Sequence, residues 1–167
     1  MIQTLQDLLI SQAQDLYDAE NRVLTLLPRL KSRATDEELK TALGDYLVDT
    51  DAQAIRLREI CKFLGVPPEG ETCEATRGLV REAEELVEKA AAPAVKDTAI
   101  IVSTQRIAHY AIASYGSAAT YAEILDNSEI ADRLKNSIAE EKDADARLKK
   151  LASGGLLASG LNEEAAR

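Results

Sequence analysis

Two acidic residues interrupt the apolar stripe of the last long helical segment in this chain. The stripe consists of Ile130, Leu134, Ile138, Glu141, Asp145 and Leu148. Residues at steps of three and four lie on one face of a helix, so Glu141 and Asp145 fall where core side chains are expected. Acids are seldom fully buried unless they are paired or bound to a metal. The rest of the chain must therefore supply partners for these two side chains.

Apolar periodicity predicts four long helices. They cover roughly residues 4–31, 36–64, 93–125 and 129–152. Thr4 and Asp7 resemble a capping box at the start of the first helix, and Thr35 is the expected N-cap of the second. Ser128 is the expected N-cap of the fourth helix. Gly154, in the pair Gly154-Gly155, is expected to end it.

A long connection of different composition joins the second and third helices. Gly65 and Pro67 stop the second helix, and residues 79–90 read as a short acidic amphipathic helix. A connection of this length returns the chain to the other end of the molecule, so the second and third helices lie parallel. We therefore predict an all-α fold, a ferritin-like four-helix bundle with a long crossover containing a short helix. It is expected to span residues 1–152, followed by a weakly ordered tail at 153–167.

Charge and composition limit the classes of partner that this protein is expected to bind. A formal net charge of -9 argues against duplex nucleic acid and anionic membranes as main partners. No apolar run approaches the roughly 20 residues of a membrane span, and the first residues lack a signal-peptide pattern, which predicts a cytoplasmic protein. Cys61 and Cys73 are expected to be reduced thiols, although a bridge between them is an alternative. The third helix is apolar around most of its circumference, which favours a self-association surface and a homodimer.

Acidic and amide side chains recur on the inner faces of the other helices. Glu20 interrupts the stripe of the first helix, and Asp49 lies at the edge of the second with Gln53 one turn later. His109 lies mid-way along the third helix, where a further ligand is expected. Oxygen ligands with an occasional imidazole suit iron or manganese. The predicted metal ligands are Glu20, Asp49, Gln53, His109, Glu141 and Asp145.

A simpler interpretation of the same residues stays open. Each acid can instead be solvated or paired with an arginine, and His109 can be a hydrogen-bonded core residue. The candidate arginines are Arg22, Arg56, Arg106 and Arg147. The metal interpretation gains when the acids are considered together, since unpaired buried carboxylates raise one another's pKa at a cost of several kcal/mol.

Several motifs resemble the YciE/YciF-like family of bacterial ferritin-like proteins. They are Leu16-Tyr17-Asp18-Ala19-Glu20, Asp49-Thr50-x-x-Gln53-x-x-Arg56-Leu57, Gly65-x-x-Pro68, Cys73-Glu74-Ala75, Gly78-Leu79, Gln105-x-x-x-His109-Tyr110-x-Ile112-Ala113-x-Tyr115-Gly116 and Glu140-Glu141-Lys142-x-Ala144-Asp145. They follow one another in order over roughly residues 1–152. The resemblance implies a ferritin-like bundle with extra short helices, often dimeric, in a stress-associated cytoplasmic protein whose activity is not settled.

The chain also departs from the pattern of that family. The resemblance implies a His where Tyr46 stands, a Glu where Asp49 stands, and Glu at the positions of Ala108 and Ala111. These differences remove nitrogen and oxygen donors from the expected metal site. The shorter side chain of Asp49 also reaches less far than Glu.

Two functions therefore follow from the sequence. The first is a metal-binding protein of the di-iron or di-manganese type, with redox activity toward oxygen or peroxide. Because donors are missing from the expected site, occupancy by two ions, by one ion or by none stays open. The alternative is a non-catalytic structural or stress-interaction protein with a degraded metal site. If one ion is bound rather than two, Glu141 is expected among its ligands.

Overall fold

The computed structural model describes residues 2–155 and 158–166. Its helices are α1 (Leu5–Arg33), α2 (Glu37–Phe63), α3 (Glu74–Lys89), α4 (Pro93–Ile124), α5 (Ser128–Ser153) and α6 (Leu161–Ala165). Two short strands, β1 (Gly154–Gly155) and β2 (Ala158–Ser159), pair antiparallel between α5 and α6. None of the helices in these described ranges is both long and apolar enough to cross a membrane.

The four long helices form two packed hairpins. Helix α1 lies against α2, and α4 lies against α5; α1 also contacts α4, and α2 contacts α5. Helix α3 runs across the outside and packs on α4 and α1. A four-helix bundle with one long crossover is the ferritin-like arrangement, so the predicted fold class is confirmed.

Two apolar clusters fill the bundle. One includes Leu26, Leu43 and Leu148, and the other includes Leu16 and Leu134. Burying each such side chain contributes roughly 1.5–3 kcal/mol, so these clusters supply the main driving force for folding. The residues of the two clusters lie before and after Glu20 along α1 and before and after Glu141 along α5, which places a polar layer between the clusters.

The helix starts correct some sequence-based expectations. The capping box of Thr4 and Asp7 is present. The N-cap of α2 is Asp36 rather than Thr35, since the Asp36 carboxylate accepts from the Leu39 amide at 2.7 Å. The N-cap of α5 is Asn127 rather than Ser128, and it makes no side-chain capping bond.

The crossover helix also begins earlier than predicted. Periodicity placed its start at residue 79, but α3 starts at Glu74, and Gly78 lies inside it. Its N-cap is the buried thiol of Cys73, whose sulfur lies 3.4 Å from the Thr76 amide. Cysteine is not among the usual capping residues, so this start was not predictable from capping signals. Cys61 and Cys73 are both free, as expected, and both are buried.

The apolar surplus of α4 is covered within the chain itself. Helix α3 packs on it from one side and α6 from another, and Leu161 of α6 is buried. The described part of the segment after α5 is thus folded onto the bundle, in contrast to the weak order expected of it. The division of the chain at residue 152 stays a prediction, and so does the homodimer.

A buried aspartate clamps the turn between α1 and α2. The Asp97 carboxylate of α4 accepts from the Thr35 amide at 2.8 Å and the Asp36 amide at 3.0 Å, and also from the Thr35 hydroxyl. We expect Asp97→Ala to lower the free energy of unfolding by about 2–4 kcal/mol, because it leaves these donors unsatisfied. Urea denaturation measures this effect. The exposed Asp143, replaced by Ala, is the control and should change stability by less than about 0.5 kcal/mol; equal effects at both positions would contradict the clamp.

Candidate functional site in the bundle core

Two buried glutamates face two buried tyrosines in the polar layer. The Tyr115 hydroxyl of α4 donates to Glu20 Oε1 of α1 at 2.8 Å. The Tyr46 hydroxyl of α2 donates to Glu141 Oε2 of α5 at 2.7 Å. All four side chains are buried. Each carboxylate is therefore bonded to a helix of the opposite hairpin.

Helix periodicity places these four groups. Tyr46 lies three residues after Leu43, and Tyr115 lies four after Ala111, so both project to the same side as buried neighbours. Glu20 lies three residues before Val23 on the core face of α1. A tyrosine side chain is long enough to carry its hydroxyl across the bundle, which a shorter polar side chain is not. A buried hydroxyl also needs a hydrogen-bond partner.

Two neighbouring acceptor oxygens in this layer lack a donor. Glu141 Oε1 and Gln53 Oε1 are buried and have no hydrogen-bond partner among the described residues. The Gln53 amide nitrogen donates instead to Glu140 Oε2 at 3.1 Å, and Glu140 is held by Arg56 at 2.8 and 3.0 Å. Two buried acceptors without a donor need either a proton on the carboxyl group or a cation.

The electrostatics favour protonated carboxyl groups. Burial raises the pKa of Glu20 to about 7, against the opposing effect of the Tyr115 hydrogen bond. Burial and then the nearby Glu20 carboxylate raise the pKa of Glu141 well above its usual range, although the Tyr46 bond lowers it. Burial also raises the pKa of both phenols, which keeps them protonated as donors. Near neutral pH, protons can thus compensate the acids.

The structure places His109 and Asp145 together, but away from the core glutamates. His109 is 59% exposed, and its Nε2 lies 3.2 Å from Asp145 Oδ2. Asp145 also accepts from Lys149 at 2.6 Å and from Gln105 at 2.9 Å. Burial acts to raise the pKa of Asp145, but the Lys149 and Gln105 bonds lower it overall. This carboxylate is compensated at the edge of the bundle between α4 and α5.

Asp49 is half-buried beside the core rather than in it. It lines a small cavity of about 10 Å³ together with Tyr46 and Arg147. Burial and then the Glu140 carboxylate raise its pKa. No group of three or more His, Cys, Asp or Glu that could hold a metal occurs within residues 2–155 and 158–166. Of the six predicted ligands, the structure brings Glu20, Glu141 and Gln53 together in the core, and His109 and Asp145 together at the edge of the bundle.

This donor set does not fit a two-metal centre. Ferritin-like di-metal sites take a carboxylate from each of four helices and an imidazole from two of them. Here two carboxylates and one amide oxygen meet, with two phenols in the remaining space. This layer supplies enough oxygen ligands for one cation at most. Tyr46 and Tyr115 were not among the predicted site residues. The one sign of their role in the sequence was that each faces the core at the same height in the bundle as an acid.

We expect Tyr46→Phe and Tyr115→Phe each to destabilise the protein by roughly 1.5–3 kcal/mol. Each substitution removes the hydroxyl that donates to a buried carboxyl group and leaves the ring volume unchanged. Thermal and urea denaturation measure the effect. Tyr121→Phe is the matched control, since the Tyr121 hydroxyl forms no hydrogen bond within the described chain; a similar loss in that variant would contradict the role given to the two core phenols.

Stability should also depend on pH through Glu20. Its pKa is raised from 4.5 to about 7, so the folded state holds the proton more tightly than the unfolded chain. The free energy of unfolding should therefore decrease between pH 4.5 and about 7, by an amount on the order of 1–3 kcal/mol. Urea titrations at about pH 5 and about pH 7.5 test this, with Glu20→Gln expected to flatten the decrease. The same slope in both proteins would refute it.

Comparison with known proteins agrees with this architecture. YcfI from Rhodopseudomonas palustris is 37% identical, with a TM-score of 0.87 over 90% of this chain and 96% of that chain. The crystal structure of the Escherichia coli stress protein YciF is 33% identical, with a TM-score of 0.85 over 90% and 95% of the two chains. A ferritin-like, diiron-carboxylate protein from Bacillus anthracis str. Ames has a TM-score of 0.70 at 17% identity over 90% and 99%, which shows a shared fold alone.

The sequence comparisons give the family. Protein YciF of Escherichia coli (strain K12) is 34% identical over 152 residues, which are 90% of this chain and 92% of the relative. Residues 4–165 match the family described as Domain of unknown function (DUF892). The resemblance found in the sequence motifs is thereby confirmed. The chain belongs to the DUF892 family and is similar over most of its length to YciF.

Proposed function

We propose that this protein is a non-catalytic structural member of its family that acts in the cytoplasm as a stress-associated homodimer. The observation that carries the proposal is the pairing of each core carboxyl group with a phenol. Glu20 and Glu141 both have a hydrogen-bond donor supplied by the chain itself. The core is thereby stabilised without a metal ion.

Two relatives support a structural, stress-associated role. A structural role is suggested for YcfI, and YciF is described as a stress protein. Both are more than 30% identical to this chain over 90% of its length. A bundle that keeps its shape without a cofactor suits a structural role, because its stability then does not depend on the supply of a metal.

One observation favours a second candidate, a single iron or manganese ion. Glu141 Oε1 and Gln53 Oε1 have no donor within the described chain, and the Glu20 carboxyl group is close enough to raise the pKa of Glu141. Glu20, Glu141 and Gln53 would then hold the ion. A bound iron ion would supply redox chemistry toward oxygen or peroxide. The two candidates differ in what neutralises Glu141, a proton or a metal.

Glu141→Gln separates these candidates. A protonated glutamic acid and a glutamine have the same shape, and the glutamine amide can donate to Gln53 Oε1. We therefore expect the variant to match the wild type in melting temperature or to exceed it, and to lose less stability as the pH rises. The measurement is thermal unfolding of protein purified without chelator, before and after anaerobic addition of Fe(II) or Mn(II), together with its metal content.

The metal arm of this experiment gives the opposite result. If one ion is held in the core, the wild type contains about one metal per chain and gains stability on metal addition, as ligand linkage requires. Glu141→Gln would then lose both the metal and the gain. Asp145→Asn is the control, because that carboxylate lies at the bundle edge with His109 and Lys149. A metal-dependent gain that survives Glu141→Gln but not Asp145→Asn would place the ion there and overturn both candidates.

A further inference from the structure

A thiol, a phenol and a carboxylate follow one another where α1, α3 and α4 meet. The Cys73 sulfur, at the N-cap of α3, lies 3.0 Å from the hydroxyl oxygen of Tyr110 of α4. The same hydroxyl donates to Asp15 Oδ2 of α1 at 2.8 Å. Cys73 is buried, whereas Tyr110 and Asp15 are partly exposed. The phenol therefore connects a buried sulfur with a carboxylate that solvent reaches.

The hydrogen atoms of these groups have a defined direction. A carboxylate only accepts hydrogen bonds, so the one hydroxyl hydrogen of Tyr110 points to Asp15. The Tyr110 oxygen is then an acceptor toward Cys73, and the thiol can donate to it at 3.0 Å. Thr76 Oγ1, the other acceptor within reach of the thiol, lies farther away at 3.3 Å. The thiol, the phenol and the carboxylate thus act as donor, relay and final acceptor.

Tyr110 differs in this respect from the other phenols near the surface. Tyr17 and Tyr121 are also partly exposed. The Tyr17 hydroxyl accepts from Arg58 at 3.4 Å, and the Tyr121 hydroxyl forms no hydrogen bond within the described chain. A phenol that loses an electron becomes strongly acidic, so its oxidation is easiest where a base takes the proton at once. Within residues 2–155 and 158–166, Tyr110 is the partly exposed phenol that donates to such a base.

The composition of the chain directs one-electron oxidants to its phenols and thiols. The sequence contains no Trp, five Tyr, two Cys and one Met. Tyr46 and Tyr115 are buried in the core, so small oxidants in solution do not reach them directly. Tyr110 combines partial exposure, a proton acceptor and a thiol in contact. It is therefore the phenol at which an oxidising radical in solution reacts most readily.

We propose that Tyr110 and Cys73 form a radical relay, in which an oxidising equivalent taken up at Tyr110 passes to the Cys73 sulfur. In the first step a small one-electron oxidant, such as the nitrogen dioxide radical, takes an electron from the phenol, and the phenolic proton moves to Asp15. The products are nitrite, a phenoxyl radical and a protonated carboxyl group. In the second step the S–H hydrogen atom of Cys73 moves to the Tyr110 oxygen. The phenol is thereby restored, the radical lies on sulfur, and Asp15 returns its proton to solvent.

Both transfers use contacts that the fold already provides. The proton crosses a hydrogen bond of 2.8 Å and the hydrogen atom a contact of 3.0 Å. The O–H bond of a phenol and the S–H bond of a thiol are of similar strength, so the second step needs little driving force. The relay moves the radical from a partly exposed ring, which couples with other radicals, to a buried sulfur. This activity goes beyond the structural role proposed above and does not depend on it.

Site-resolved nitration tests the relay. A haem peroxidase supplied with nitrite and hydrogen peroxide generates nitrogen dioxide radicals, which combine with a phenoxyl radical to form nitrotyrosine. Cys73→Ser keeps a good helix N-cap but has no hydrogen atom weak enough to transfer. We expect this variant to show a severalfold increase in nitration at Tyr110, measured by peptide mass spectrometry. Tyr17 and Tyr121 are the internal controls and should not change. Unchanged nitration of Tyr110 in Cys73→Ser overturns the relay.

The two native thiols provide an independent readout. After the same treatment in air, Cys73 of the wild type should be converted to oxygenated forms, because a sulfur radical reacts with dioxygen. Cys61 is equally buried but forms no hydrogen bond to a phenol within the described chain, and it should remain a free thiol. Tyr110→Phe should protect Cys73, since it removes the hydroxyl that carries the radical. Alkylation of the unfolded protein followed by mass spectrometry measures both thiols.

The wild type alone already allows a decision. Equal loss of the two thiols in the wild type overturns the relay, and so does undiminished loss of Cys73 in Tyr110→Phe. Circular dichroism checks that both variants remain folded. Neither result bears on the metal content of the core or on how Glu141 is neutralised.

Discussion

The burial of Glu20 and Glu141 between two apolar clusters is the constraint on which the rest of this bundle depends. A lone buried carboxylate costs several kcal/mol. The chain offsets this cost with Tyr115 and Tyr46, whose hydroxyls donate at 2.8 and 2.7 Å. The packing of the four long helices must hold these distances, so the polar layer fixes how the two hairpins face each other.

The two tyrosine–glutamate bonds are related by the internal organisation of the fold. Both join residues 95 positions apart, Glu20 with Tyr115 and Tyr46 with Glu141. Each hairpin contributes one carboxyl group and one phenol, so position 20 of the first hairpin faces its counterpart at 115 in the second. A hairpin pair with acids at all four positions would gather four negative charges. Placing a phenol opposite each acid halves that charge and supplies a donor at the same time.

The crossover is fastened to both hairpins by a second polar chain. The Cys73 amide donates to Asp18 of α1 at 2.8 Å, and its sulfur lies 3.0 Å from the Tyr110 hydroxyl of α4. Tyr110 in turn donates to Asp15 of α1 at 2.8 Å. These contacts hold the start of α3 where α1 and α4 meet.

Periodicity and the length of the crossover were enough to predict the architecture, because long apolar stripes and a Gly-Pro stop are local signals. Glu20 and Glu141 were also predictable, since each stands in the middle of a stripe. Asp145 was not separable from Glu141 by spacing alone: it lies one turn further on, where Lys149 and His109 reach it from the bundle edge. His109 shares its exposed face with Arg106 and Ala113. A helical projection of α4 contains this pattern, but the high apolar content of the helix made the exposed face hard to recognise. The phenol partners depend on distances across the bundle, which no single helix encodes.

On the structural role proposed above, the phenols join the helices that a metal centre would otherwise join. A metal centre cross-links the helices that supply its ligands. Here the bond from Tyr115 joins α4 to α1, the bond from Tyr46 joins α2 to α5, and the two hairpins join the remaining neighbours. All four helices are thus connected through these two hydrogen bonds together with the packing within each hairpin. Catalysis at a metal needs an open coordination position. The connection through the phenols needs only close packing of the helices and the hydroxyl proton that each phenol donates. On the structural role proposed above, such a core keeps the helices joined as a metal site would, without a position at which an oxidant binds.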